Sequence, residues 1–429
     1  MRFSLALLLL INLFNYIDRY VLSAVEVLVR KELFAKPEEL GGGEHENAKF
    51  WMGMLAPAFL VTYMITAPIF GWLGDRHRRW LIVALGVALW SLATGGTGLA
   101  TTFAMLFVLR IFVGIGEAAW GPIAPTIIAD MYPASKRGWV LSWFYIAIPV
   151  GAALGVILGG LIASWKSWHW SFFLMLPPGI VLAVLAYFRP EPQRGLNDQP
   201  SSSHARQPFL KTVMALKSNR SFVLNTLGMT AMTFAVGGMS FWMPTYVHEY
   251  RMGGLTDAAG TAQLATISTI FGGITVVAGL SGTLTGGWIS DRLRGRVKGA
   301  YAAVAGVGML LSFPCFLAVL YTPFPLAWVF MFLAIFGLML NTGPTNTIIA
   351  NVTPAPVRAT AYAINILTIH ALGDAISPPL IGLIAGKAAG GMNTAFLLVG
   401  VAIVVSGIIW IVAARWLDED TRRIVASNA

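Results

Sequence analysis

Several ionisable residues lie inside long apolar runs of this 429-residue chain. A charged side chain at the centre of a bilayer costs about 2.5–3.5 kcal/mol on insertion scales, so each needs a partner or a water-filled cavity. Carboxylates and imidazole in such places can carry protons, and a guanidinium can bind an anion through two parallel hydrogen bonds. The residues are Asp18, Arg19, Glu26, Arg110, Glu117, His370 and Asp374.

The first and fourth apolar runs each carry an acid and an arginine. Asp18 and Arg19 lie about fifteen residues into the first run, and neighbours on a helix point about 100° apart. We therefore expect one of them to line a cavity and the other to reach a neighbouring helix. Arg110 and Glu117 are seven residues apart, so they share one face of their helix.

These groups have a functional and a structural interpretation. We predict that Glu117 carries a proton, with Asp18 as a second proton site, and that Arg19 or Arg110 holds an anionic substrate group. The alternative is a static Arg–Glu pair that fixes two helices together. Buried ion pairs stabilise poorly compared with apolar packing, which favours the functional interpretation. Glu26, eight residues after Asp18, is expected to line the cavity on roughly the same face.

The eleventh apolar run contributes His370 and Asp374, which are four residues apart and share a helix face. Imidazole titrates near physiological pH, so this pair is a further candidate for proton coupling. The alternative is a satisfied hydrogen bond between helices. No second His or Cys stands at metal-ligand spacing, so we expect no metal and no cofactor, with the proton as coupling ion.

Composition places these groups in a membrane protein. The chain is 57% hydrophobic and 11% charged, with a mean hydropathy of +0.72. Soluble domains carry about 25% charged residues. The net charge of +10 does not indicate nucleic acid, because the basic residues occupy short turns between apolar runs. We expect membrane lipids as partners and no nucleic acid.

Twelve runs are long enough to cross a bilayer, which takes roughly 20 apolar residues. Open sheets cannot cross lipid and a barrel would alternate with period two, so the fold class is all-α, with twelve transmembrane helices. The predicted spans are 4–29, 50–74, 80–101, 103–131, 138–163, 171–188, 221–247, 264–290, 299–320, 325–350, 358–385 and 393–416.

An internal repeat divides these spans into two halves. Residues 71–79 (GWLGDRHRR) resemble 287–295 (GWISDRLRG), and seven of fourteen positions are identical between 125–138 and 346–359. We predict a six-helix bundle over 1–188, a cytoplasmic linker over 189–220 and a second bundle over 221–429. Lys and Arg concentrate in the loops on one side, which places both termini in the cytoplasm.

The first repeated turn resembles the signature loop of the major facilitator superfamily through Gly71, Asp75, Arg76 and Arg79. The spacing of Arg110, Gly114 and Gly116 resembles the fourth-span motif of the same superfamily. The resemblance covers the whole chain and implies a secondary transporter that works by alternating access, with two pseudo-symmetric six-helix bundles.

A narrower resemblance is to the spinster family of lysolipid and sphingosine-phosphate transporters. It rests on residues 15–19 (NYIDR), 114–118 (GIGEA), 124–130 (APTIIAD) and 144–151 (FYIAIPVG). It implies a bacterial-type homologue in the inner membrane that moves a lysophospholipid or sphingoid phosphate, often with proton coupling. Arg19 and Arg110 would then hold the headgroup.

The superfamily resemblance also implies a cytoplasmic gate at the repeated turns. Asp75 would face the start of the eleventh span, near 355–359, and the loop arginine would face Asp130. In the second copy, Gly295 replaces Arg79 and Asn351 replaces Asp130, so we expect a weaker latch there. The alternative is a topology determinant that merely keeps the turn inside. The predicted gate comprises Gly71, Asp75, Arg76, Arg79, Asp130, Asp291 and Arg292.

Two further groups are assigned to the cavity and to packing. Tyr145 and a seventh-span set are predicted to line a pocket for an acyl chain, although lipid-facing or packing roles are equally open for that set. Gly151, Gly155 and Gly159 recur at every fourth position and predict close helix contact; the alternative is a hinge or sliding surface. The seventh-span set is Met239, Trp242, Met243 and Tyr246.

Two other functions stay open. A proton-coupled carrier of small organic anions or drugs could use the same fold, and a non-transporting receptor or membrane enzyme is a remote possibility. The chain has no Walker phosphate loop, no zinc-binding His-Glu-x-x-His and no nucleophile elbow. We therefore expect no enzyme activity, an ion gradient as energy source and a monomer.

Overall fold

A computed structural model of the chain describes residues 2–35, 45, 47–132, 134–192, 214, 216–253, 258–353, 358–387 and 391–428. Almost all of them are helical, because within lipid only a helix satisfies the backbone hydrogen bonds of a single segment. Within these residues, eleven helices are long and apolar enough to cross a membrane. The all-α prediction is confirmed.

Twelve segments, named spans 1 to 12 below, follow the predicted order. The first six contain the helices Arg2–Leu33 (span 1), Ala48–Gly53 and Leu55–Arg76 (span 2), Arg79–Thr97 (span 3), Phe103–Ala118 and Ala124–Met131 (span 4), Ala134–Trp165 (span 5), and Trp168–Phe173 and Leu176–Tyr187 (span 6).

The last six contain the helices Arg220–Tyr246 with the π-helical turn Val247–Arg251 (span 7), Ala258–Leu293 (span 8), Ala300–Tyr321 (span 9), Leu326–Met339 and Thr342–Asn351 (span 10), Arg358–Ile369, the π-helical turn His370–Asp374 and Ser377–Lys387 (span 11), and Gly391–Asn428 (span 12).

Span 4 is the one predicted span that falls outside the eleven, because a turn over residues 119–123 separates its two helices, which are only 16 and 8 residues long. The Thr102 hydroxyl caps the first helix by accepting a hydrogen bond from the Met105 amide at 3.3 Å. Pro122 lies in the break and Pro125 in the first turn of the second helix, where a missing amide hydrogen is tolerated.

The chain divides into two compact units. The first contains Met1–Ser201 and Phe241–Gly273, and the second contains Ser202–Ser240 and Ile274–Ala429. The first unit thus holds spans 1 to 6 with the adjoining ends of spans 7 and 8. The predicted boundaries at 1–188, 189–220 and 221–429 stay a prediction, because residues 193–213 lie outside the described part of the chain.

In the first unit, span 1 packs most extensively against span 5. A Cβ atom at Gly151 would lie 2.8 Å from the Leu13 carbonyl oxygen, and one at Gly159 would lie 3.0 Å from that of Val21. Small residues at this spacing let two backbones approach closely. The glycine stripe therefore acts in packing, and it fixes the part of span 1 that carries Asp18 and Arg19.

In the second unit, span 9 packs closely on spans 10 and 12. A Cβ atom at Gly308 would lie 3.0 Å from the Gly337 carbonyl oxygen of span 10. Neutral hydrogen bonds join other spans there: the Trp410 indole donates to the Asn225 side chain at 3.1 Å, and that amide donates to the Thr345 carbonyl at 3.1 Å.

Candidate functional site

Asp18, Arg19, Arg110 and Glu117 lie together in the first unit and form what we term the charged cluster. The Arg19 guanidinium of span 1 donates a hydrogen bond to the Glu117 carboxylate of span 4, so these two side chains form an ion pair. The Glu117 side chain is fully buried, whereas that of Arg19 is 27% exposed. The positive charge of Arg19 is therefore partly accessible, whereas its partner Glu117 is not.

Aromatic rings and glycines hold this ion pair in place. The guanidinium lies over the rings of Phe59 and Tyr16, at 4.6 and 5.1 Å from their centroids, which adds cation–π attraction. A Cβ atom at Gly116 would lie 2.8 Å from the Gly86 carbonyl oxygen of span 3. Since no larger residue fits there, the fourth-span glycine brings Glu117 close to span 3.

Asp18 is 1% exposed and is paired differently from Arg19. The side chains that act on its carboxylate are Glu117 and Arg110 of span 4 and the Thr94 hydroxyl of span 3. Among the described residues, however, no partner of good hydrogen-bond geometry meets either carboxylate oxygen. Arg110 is 5% exposed, and its Nε likewise has no partner there.

The two neighbouring residues of span 1 thus separate as the helix geometry predicts. Arg19 reaches span 4 and keeps part of its surface accessible, while Asp18 is buried beside spans 3 and 4. Two acids and two arginines give the charged cluster a formal charge of zero when all four are ionised. An added anion or proton therefore changes its charge balance directly.

The predicted pair on span 11 lies in the second unit. The Nδ1 atom of His370 is 3.0 Å from both carboxylate oxygens of Asp374. The two side chains are 34% and 22% exposed, and they occupy a π-helical turn, a distortion that is frequent at functional sites. A Cβ atom at Gly237 of span 7 would lie 2.9 Å from Cα of Asp374. The coupling role of the pair stays a prediction.

At the first repeated turn, Arg79 is buried between two carboxylates. Its NH1 atom is 2.6 Å from Asp130 at the end of span 4, as the superfamily resemblance implies, and its Nε donates to Glu191 at 2.6 Å. Glu191 also accepts a hydrogen bond from the Trp80 amide at 3.4 Å and so caps the start of span 3. Sequence reasoning missed Glu191 because it falls in the predicted linker; its position directly after span 6 was the available signal.

The other predicted residues of this turn are less constrained. Arg76 is exposed, with its guanidinium 4.1 Å from the centre of the Trp72 ring. A Cβ atom at Gly71 would make an ordinary contact of 3.8 Å with Pro122. The side chain of Asp75 and its predicted partners at 355–359 lie outside what the structure describes.

The second repeated turn lacks the buried arginine. Asp291 accepts a hydrogen bond from the Tyr301 hydroxyl at 2.7 Å, and the Arg292 guanidinium lies 5.8 Å from the centre of the exposed Trp288 ring. Beside Gly295 and Asn351, the counterparts of Arg79 and Asp130, is a cavity of about 60 Å³.

A second ionic network lies at the end of span 1 remote from the repeated turn, and we term it the outer network. Arg30 donates to Glu26 at 2.7 Å and to Glu249 of span 7 at 2.6 Å. Thr245 donates to the other Glu26 oxygen at 2.6 Å, and Lys49 is 3.4 Å from Glu249. Sequence reasoning missed this network, although the Glu26–Arg30 spacing of four residues is a helix-pair signal.

The predicted cavity-lining residues are packed. Glu26 is fully buried within the outer network, Met239 is 4% exposed, and Trp242, Met243 and Tyr246 are wholly buried. The Tyr145 side chain lies outside the described residues. Their contact with an acyl chain stays a prediction.

Comparison with known proteins identifies the class of protein that this fold and these charges define. Residues 8–378 match the family model of the Major Facilitator Superfamily. A crystal structure of a bacterial homolog to the human lysosomal transporter spinster, inward-facing and unoccupied, superposes with a TM-score of 0.79 over 99% of this chain and 98% of that chain. At 21% sequence identity, that likeness shows the fold.

Two related sequences show to which family within the superfamily the chain belongs. Protein spinster homolog 3 of Danio rerio is 37% identical over 393 residues, which cover 89% of this chain and 76% of the relative. The sphingosine-1-phosphate transporter SPNS2 of Danio rerio is 34% identical over 431 residues, which cover 95% and 83%. The chain belongs to the spinster family of the major facilitator superfamily, so it is a multi-pass membrane transporter and not an enzyme.

Proposed function

We propose that this protein is a proton-coupled secondary transporter of an amphipathic lipid with an anionic headgroup, a lysophospholipid or a sphingoid phosphate. The observation that carries the proposal is the partly exposed Arg19 guanidinium paired with the buried Glu117 carboxylate. The relative whose name states sphingosine-1-phosphate transport supports the substrate class.

Competition for Arg19 would couple substrate to proton. A phosphate group that binds the guanidinium through two hydrogen bonds displaces the Glu117 carboxylate. The displaced carboxylate is buried beside Asp18, and an unpaired buried charge is costly, so a proton binds to one of these two acids. Arg110 balances the acid that stays ionised.

Alternating access would work through the ionic networks at the two ends of the first unit. The Arg79 network joins the start of span 3 to the ends of spans 4 and 6, and the outer network joins span 1 to span 7. Each network would rearrange when its own side of the transporter opens. One network would then be intact in each state, so the free energies of the two states would differ by only a few kcal/mol. The charge of the loops supports cytoplasmic termini.

Uptake into proteoliposomes tests the proposal. The purified protein is given an imposed pH gradient and, in separate experiments, a lysophospholipid, a sphingoid phosphate or a small organic anion. We expect gradient-driven uptake of one of the lipids, and a loss of at least tenfold in Glu117→Gln and in Asp18→Asn. Glu419→Gln is the matched control, because Glu419 is 55% exposed at the end of span 12.

Two results would contradict the proposal. Lipid uptake that ignores the pH gradient, or that persists in both carboxylate variants, removes proton coupling through the charged cluster. Uptake of the organic anion alone favours the alternative carrier.

A further inference from the structure

The buried Asp18 carboxylate interacts with the Thr94 hydroxyl of span 3. Two further donors, the Trp90 indole and the Ser91 hydroxyl, lie about one helical turn before Thr94 on the same span. All three residues are at most 2% exposed. In the described structure, neither the Trp90 nitrogen nor the Ser91 oxygen has a hydrogen-bond partner.

Helix contacts place Ser91 near span 1. A Cβ atom at Gly179 of span 6 would lie 2.6 Å from Cβ of Ser91 and 3.0 Å from Cε1 of Phe14. Phe14 is one helical turn before Asp18 and lies on the same face. Ser91 therefore lies beside the turn of span 1 that leads to Asp18, and Thr94 is the hydroxyl that acts on its carboxylate.

The unpartnered Asp18 carboxylate and the unpartnered Ser91 hydroxyl of the neighbouring helical turn need an explanation. Leaving a buried polar group without a hydrogen bond is unfavourable, so orphaned groups of this kind mark a second arrangement or a change of protonation. An ionised carboxylate can only accept hydrogen bonds, whereas a protonated one needs fewer donors. Span 3 supplies donors that suit the ionised form.

We propose that Thr94 is a positioning residue for Asp18: its hydroxyl donates to the carboxylate once Asp18 has released its proton, and so sets the pH at which that proton leaves. The other groups that face Asp18 are Glu117 and Arg110 of span 4. The proton passes to solvent, and the Thr94 hydroxyl moves only by rotation about its side chain. This proposal rests on the proton-coupled function proposed above.

The experiment follows Asp18 itself and needs no substrate. Infrared difference spectra of the purified protein are recorded against pH, and the carboxylic-acid band of Asp18 is identified by its loss in Asp18→Asn. We expect Thr94→Val to move the midpoint of this band about one pH unit higher, the change that follows when a hydrogen bond to a carboxylate is lost. Thr94→Ser keeps the hydroxyl and is expected to titrate as the wild type does.

Thr97→Val is the matched control on the same helix, because the Thr97 hydroxyl donates to the Ala93 carbonyl at 3.0 Å. We expect it to leave the midpoint unchanged. Thr94→Ala replaces Thr94→Val if the valine variant is not monodisperse in gel filtration. A midpoint that is the same in Thr94→Val, or Thr94→Ala, and in wild type overturns this inference alone. An Asp18 that never titrates also overturns this inference, while the proton-coupled function then depends on Glu117 and is tested separately by uptake.

Discussion

In the first repeated turn the Arg79 guanidinium lies buried between the carboxylates of Asp130 and Glu191, whereas in the second a cavity of about 60 Å³ lies beside Gly295 and Asn351. Both turns begin with the same Gly-Trp pair and keep the Asp-Arg pair. The copies therefore share the sequence pattern of the turn but not an ionic centre, and the unequal latch stays a prediction.

One contact near the first turn has a counterpart near the second: an acid that caps the start of a helix. Glu191, after span 6, accepts a hydrogen bond from the Trp80 amide, and Asp418, at the end of span 12, accepts one from the Gly299 amide at 3.0 Å. In each unit an acid in the C-terminal part of the sixth span, or just after it, caps the start of the third span. The cap needs only an acceptor at a helix N-terminus, so it is retained without the arginine.

The two units also differ in whether their buried polar groups are charged or neutral. The first unit holds the charged cluster, with Glu117 wholly buried and Asp18 1% exposed. In the second unit the contacts described above join Trp410, Asn225 and Thr345 through neutral groups. The buried cluster of opposite charges thus belongs to the first unit, whereas His370 and Asp374 form a partly exposed pair in the second.

The largest test of the comparison is removal of the arginine. Arg79→Ala leaves Asp130 and Glu191 without this partner, and we expect it to destabilise the protein by about 3 kcal/mol. Arg294→Ala, at the exposed turn of the second copy, is expected to change stability by less than about 0.5 kcal/mol. Apparent melting temperatures in detergent measure both.

The same two variants report on gating. We expect Arg79→Ala to favour inward-open states more than Arg294→Ala does, measured by labelling of single cysteines in the Cys315→Ser background. Equal labelling would show that the two turns act alike.

A smaller effect separates the two acid caps. Glu191→Gln weakens both the cap and the ion pair with Arg79, so we expect a loss of roughly 1.5 kcal/mol. Asp418→Asn affects the cap of Gly299, and we expect roughly 0.5 kcal/mol. If the two variants melt at the same temperature, the arginine adds nothing to the first cap, and the difference between the copies is one of shape only.

A last test concerns the backbone at Gly295, the residue that stands where the first copy has Arg79. Gly295 has φ of 78° and no atom within 4 Å of a built Cβ, so Gly295→Ala costs only the left-handed backbone, about 1 kcal/mol. Gly287→Ala is the control, since it too has open space but lies inside a helix, where alanine is favoured. If Gly295→Ala instead raises the melting temperature, the turn has left the left-handed conformation and tolerates a side chain at this position.

The sequence by itself determined the membrane class, the order of the twelve spans, the duplication and most of the charged residues. Apolar length and internal charge are local properties, so composition and spacing suffice to read them. The pairing of Arg79 with Asp130 also followed, because a motif fixes both residue types and their place at helix ends.

Only the tertiary structure decided the other charge pairs between helices. Arg19 pairs with Glu117 although Arg110 shares a helix with that acid, because glycines bring spans 2, 3 and 4 close and Arg19 points across between them. Glu191 and Glu249 lie more than one hundred residues from their arginines, and spacing along one helix cannot reveal such partners. The physical reason is that helix periodicity fixes the direction of a side chain, whereas packing between helices fixes what it meets.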